Sequence, residues 1–137
     1  TLFEALTDIS KSKSQRFETS LEIMQKILLI KSGSEKPLLA GLMSCFRKVK
    51  LWNSLHSNSK PTDIELKAAG FSKMFYSQYQ NAAKIWTSGA VSSILALLAN
   101  IDIKIIESNS SLSYTLMTSM IYSIVMKNGI FPSEYEV

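Results

Sequence analysis

Side chains able to do chemistry are few in this sequence and stand far apart. His56 is the only histidine and Cys45 the only cysteine. Nucleophilic catalysis needs a nucleophile with a base in reach, yet His56 lies beside the Ser57-Asn58-Ser59 stretch and no serine sits in a G-x-S-x-G setting. A surface position is expected for it. Cys45 falls between Ser44 and Phe46 in an apolar helical run, away from any helix N-terminus that would lower its pKa, with Lys48 at i+3 as the one basic side chain in reach. It reads as a small core residue. One Cys and one His cannot make a four-ligand zinc site, and a lone Cys cannot close an internal disulfide, so nothing points to secretion. Gly33, Gly41, Gly70, Gly89 and Gly129 are scattered, with neither G-x-G nor G-K-[ST], which excludes a glycine-rich phosphate loop. Asp63 and Glu65 are placed to cap a helix rather than to move protons. The expectation is a chain with no catalytic residue, no metal and no cofactor.

What remains is the cluster Arg47-Lys48-Val49-Lys50, flanked by Phe46 and Trp52. On a helix, Arg47 and Lys50 share a face at i, i+3 with Lys48 beside them, while Phe46, Val49 and Trp52 turn inward. One reading is a solvated edge whose aliphatic stems cover the core. The other is a contact with phosphate or with an acidic partner, weak and salt-sensitive and without sequence recognition. The charge balance concentrates attention on this stretch. Fifteen Lys and Arg against eleven Asp and Glu give +4, and residues 1–60 hold ten of the cations but only five of the acids. Between Glu35 and Asp63 there is no acid at all, while Lys36, Arg47, Lys48, Lys50 and Lys60 lie inside that window.

The elements that position these side chains follow from periodicity. With 137 residues, 46% hydrophobic and 19% charged, the chain has the length and balance of one globular domain. Leu2, Phe3, Leu6 and Ile9 mark a first short helix; Phe17, Leu21, Met24 and Leu28, widened by Ile23, Ile27 and Ile30, mark a second, stopped at Ser32-Gly33-Ser34. Pro37 suits the first turn of a third, whose inner face is Leu38, Leu39, Leu42, Met43, Phe46, Val49, Trp52 and Leu55. Thr62-Asp63-Ile64-Glu65 has the form of a capping box opening a short fourth helix that Gly70 can end. A fifth carries Phe75, Tyr79, Ala82, Ala83 and Trp86. Thr87 or Ser88 can cap a sixth with Val91, Ile94, Leu95, Leu98 and Ile101, and Ser110 or Ser111 a seventh with Leu112, Leu116, Met120 and Ile124, closed by Lys127-Asn128-Gly129. The fold class expected is all-α, a compact bundle of six to seven helices. Only Ile101–Ile106, where Ile alternates with charge, also fits a strand.

Two long uncharged or nearly uncharged stretches, Ile85–Ile101 and Ser108–Met126, approach the length of a membrane span. The second is rich in Ser and Thr, and helices apolar on most faces are also what the middle of a bundle requires. No membrane segment is expected. Thr1-Leu2-Phe3-Glu4 lacks the basic and apolar regions of a signal peptide, which with the single Cys fits a cytoplasmic chain. Its start at Thr1 rather than Met fits a piece of a longer protein.

The order of motifs carries a resemblance. Leu2-Phe3-Glu4-Ala5-Leu6-Thr7-Asp8, the helix from Phe17 to Ile30, the polar turn Ser34-Glu35-Lys36-Pro37 and the long run Leu38 to Val49 resemble, in that order, the C-terminal helical domain of bacterial DNA polymerase III delta subunits, the clamp-loader family. The sharpest likeness is Asp63 to Phe71 followed by Phe75-Tyr76, similar to that family's turn between two short helices. Ala82-Ala83-Lys84-Ile85-Trp86-Thr87 and Leu97-Leu98 with Asp102 extend it, so that it spans roughly residues 2–128. The proline usual in the family's turn is replaced by Ser72-Lys73-Met74, and Ile106 stands where a lysine is expected. Every matched residue is apolar, capping or turn-forming, so the likeness speaks for packing.

The resemblance implies a collar domain. Family members carry AAA+-like modules ahead of this region, absent from this sequence, that contact the sliding clamp, and their C-terminal domains pack with those of the other clamp-loader subunits into a circular collar. It implies no cofactor, no catalytic residue in this domain, DNA met only at the level of the complex, and a parent that is a subunit of a DNA polymerase holoenzyme. Arg47, Lys48 and Lys50 are then expected on an exposed rim near a neighbouring subunit, with Phe46, Trp52, Phe75 and Trp86 as core. The alternatives are an all-α peptide-docking module of the transcription-factor type, or a nucleic-acid-binding module using residues 36–60.

Overall fold

The computed structural model describes residues 1–31 and 33–130. These form seven α-helices and a 3-10 turn, with no strand among the described residues: α1 (Leu2–Leu6), α2 (Lys13–Ile30), α3 (Glu35–Leu55), α4 (Asp63–Ala68), the 3-10 turn Lys73–Phe75, α5 (Tyr76–Ile85), α6 (Ser88–Glu107) and α7 (Ser110–Met126). The fold is an all-α bundle. Ile101–Ile106 lies within α6, where Ile101 is fully buried while Ile103 and Ile106 are exposed, a helical rather than an alternating pattern.

Local chemistry sets the ends. Thr1 and Ser12 cap α1 and α2 through capping boxes with Glu4 and Gln15. Thr7 then ends α1, its hydroxyl donating to the Phe3 carbonyl at 2.9 Å, so Ile9 falls outside the helix and is exposed. Thr62 and Glu65 form the expected box at α4, and Gly70 takes a φ of +98° to turn the chain, after which the Phe71 N–H donates to the Leu66 carbonyl at 2.9 Å. Thr87 Oγ1 accepts from the Ala90 N–H to start α6. At α7 the cap is Asn109, whose Oδ1 accepts from the Leu112 N–H at 2.9 Å, one residue ahead of the serines that composition favoured.

The helices lie side by side with α6 near the centre. The ion pair of Lys36 Nζ with Asp102 Oδ1 at 2.8 Å joins the start of α3 to the last turns of α6, which fixes these helices as antiparallel. Phe17 meets Tyr122 edge-on at 5.6 Å, and the Gln25 side-chain amide bonds the Tyr114 hydroxyl, so α2 and α7 are antiparallel too. Val91, Ile94, Leu97, Leu98 and Ile101 of α6 are all buried, as are Leu39, Leu42, Phe46, Val49 and Trp52 of α3. In length and composition α6 could cross a membrane, with a mean hydropathy of 1.7 over its apolar window. A third of that window is buried, where its apolar stripe packs against α3 and α7.

Candidate interaction surface

An aromatic cluster braces the end of the bundle built by α1, α3, α4 and α5. Phe46 packs edge-on against Phe3 at 5.7 Å and against Trp86 at 5.1 Å, and Trp52 meets Phe71 at 5.3 Å and Tyr79 at 5.8 Å. Phe46, Trp52 and Trp86 are core residues, each almost fully buried. Phe75 is not: it is 42% exposed. In a continuous α-helix it would share a stripe with Tyr79, Ala82 and Trp86, but the 3-10 turn at Lys73–Phe75 winds about three residues per turn and carries it out of phase. Its ring instead lines the rim of an apolar groove of about 550 Å³ between α1, α2 and α3, and Ala83 is exposed as well.

Inside that groove stands Cys45, half-buried, its thiol pushed up by burial and drawn back only in part by Lys48. Such a thiol is a poor nucleophile at neutral pH. His56 is half-buried rather than on the surface. It is the residue that ends α3, its Nδ1–H donating to the Trp52 carbonyl at 2.8 Å while its ring lies 4.4 Å from the Trp52 ring. Among the described residues no three His, Cys, Asp or Glu side chains gather into a metal site. No family model, curated protein or solved structure matches the chain.

The basic side chains of the acid-free window do not stay together. Arg47 and Lys50 are exposed along one flank of α3, and no ion pair engages either among the described residues. Lys48, exposed too, belongs to the other flank, where its Nζ donates to the Gly70 carbonyl at 3.4 Å. The cluster that is continuous in sequence is therefore split across the helix. Lys36 is spent on Asp102.

A further basic pair was not visible as a pair in the sequence. Lys60, from the loop after α3, and Lys84, from α5, border a cleft of about 760 Å³ at the end of α3, together with Asn53, His56 and Gln80. These positions are brought together by Trp52 and Trp86 beneath them. The only sequence signal for it was the acid-free window that ends at Lys60; Lys84 lies well beyond that window and could be joined to it only by knowing that α5 packs back on α3.

Proposed function

We propose that this chain is the C-terminal helical domain of a bacterial DNA polymerase III delta subunit, the non-catalytic piece by which that subunit joins the collar of a cytoplasmic clamp loader. What supports the reading is the agreement between the order of the matched motifs and the order of structural parts. The Asp63–Phe71 stretch, the sharpest likeness, makes a short capped helix, a left-handed glycine turn and a buried aromatic plug that rests on Trp52. Leu38 to Val49 makes the long helix against which α6 packs, and Ala82 to Thr87 ends α5 with a buried tryptophan and caps the next helix.

On this reading the two exposed cations Arg47 and Lys50 form a rim beside a neighbouring subunit, and clamp contact belongs to modules outside this chain. A peptide-docking module that ends before Ser88 leaves α6 and α7 without a role, although these two helices supply much of the buried core. The experiment is co-purification. The tagged chain, mixed with the other subunits of a bacterial clamp loader, holds at least one of them; capture of none overturns the reading. A DNA titration separates the nucleic-acid alternative, because micromolar binding with a steep salt slope belongs to a phosphate-reading module and not to a collar piece.

A further inference from the structure

The cleft at the end of α3 carries charge without a counter-charge. Lys60 and Lys84 border it, and no carboxylate lines its walls. The surroundings reinforce that sign. Residues 50–90, from the last turns of α3 through α5, hold five Lys against two acids, and both acids are engaged locally: Asp63 pairs with Lys73 at 3.4 Å, and the Glu65 carboxylate accepts from Thr62 within the capping box. The charge that remains along this stretch is positive, which favours an anionic group at the cleft.

The other lining groups narrow what kind of anion fits. Asn53 and Gln80 each offer an amide N–H pair and a carbonyl, the same donor and acceptor set that a peptide backbone presents. Stacking platforms are missing, because Trp52 is 3% and Trp86 2% exposed and the His56 ring is already laid against Trp52. Single-stranded nucleic acid is held without sequence preference by a basic groove combined with aromatic faces, and this cleft offers only the first.

We propose that the cleft receives an acidic peptide segment of a neighbouring clamp-loader subunit, with carboxylates on Lys60 and Lys84 and backbone amides on Asn53 and Gln80. This rests on the collar reading above. Contacts from exposed lysines orient and speed association more than they add affinity, so the signature is salt dependence.

The test uses the whole chain, a Lys60→Glu, Lys84→Glu double variant and two fluorescent probes: a Glu/Ser peptide of about ten residues and a thymidine oligonucleotide of similar charge. The peptide binds the wild-type chain, weakens roughly tenfold between about 50 and 200 mM salt, and is lost in the double variant with the thermal midpoint unchanged. Capture by the other loader subunits weakens in parallel. If the charge reversal lowers the midpoint, Lys60→Gln with Lys84→Gln gives the same reading at lower charge. Oligonucleotide binding tighter than peptide binding overturns the proposal, as does a peptide that the wild-type chain fails to bind. Undiminished subunit capture by the double variant also overturns it while leaving the collar reading standing. A wild-type chain that binds the peptide but captures no subunit overturns both the collar reading and a loader subunit as the peptide's source.

Discussion

The indole N–H of Trp86 donates to the carbonyl of Ile124 at 3.2 Å, joining the residue that ends α5 to the last turn of α7. The last four carbonyls of a helix have no partner within it, and this one is buried. A single side chain thus both fills the aromatic core against Phe46 and satisfies a carbonyl that water does not reach. Trp86→Phe keeps most of the ring and removes the donor, so stability should fall by about 1–3 kcal/mol. Urea unfolding measures it; an unchanged midpoint and slope would contradict the bond's role.

Two glycines should respond oppositely to alanine. Gly129 sits at a φ of +85°, its N–H bonded to the Ser123 carbonyl at 2.8 Å, and a Cβ there would stand 2.7 Å from Ile94 Cγ1 and 2.8 Å from the Ile94 backbone nitrogen. Both the backbone and the close approach of α6 demand glycine, and Gly129→Ala should cost about 2 kcal/mol or more. Gly41 lies inside α3 with nothing within 4 Å of an added Cβ, so Gly41→Ala should stabilise by about 0.5–1 kcal/mol. Thermal or urea midpoints moving in the same direction for both would contradict this packing.

Alkylation of Cys45 should be slow at neutral pH and speed up only at a pH above that at which a free cysteine does, since burial raises the thiol's pKa. The same shift has a stability consequence. A thiol whose folded pKa lies above its unfolded one favours folding fully below the unfolded value, and that contribution is lost as pH rises through the folded value. Iodoacetamide rates against pH, with unfolded chain as reference, check it. A folded-state midpoint at or below the unfolded one would refute the assignment.

Charge reversal on the exposed flank of α3 should separate stability from association. Arg47→Glu with Lys50→Glu touches no ion pair among the described residues and should leave the unfolding free energy within about 0.5 kcal/mol per site. On the collar reading, capture by loader subunits should nevertheless weaken and lose part of its salt dependence. Lys48→Gln is the contrast, since Lys48 leans on the Gly70 carbonyl rather than standing on that flank. Equal capture by all three chains would remove Arg47 and Lys50 from the rim.

Most of the helices were legible because their signals are local. The stripe from Leu39 to Trp52, the Thr62–Glu65 box and Gly70 each depend on neighbours within a turn or two, and each stands where periodicity and cap chemistry put it. Phe75 was misplaced because a stretch of three residues wound as a 3-10 turn shifts the phase of everything before it, and no residue type announces that turn. Asn109 outcompeted the following serines for the α7 cap, a choice among equally good caps that rests on backbone geometry. The cleft of Lys60 and Lys84 was hidden for a different reason. It is made by tertiary packing of α5 on α3, and only the charge at one of its edges shows in the linear sequence.

The collar assignment is tested most directly by the mass of what this chain binds. Size-exclusion chromatography with light scattering, run on the chain alone and then with the other subunits of a bacterial clamp loader at micromolar concentration, should show the chain leaving its own peak and entering a larger assembly. A chain that keeps its own peak in every mixture, at every concentration tried, would contradict the assignment.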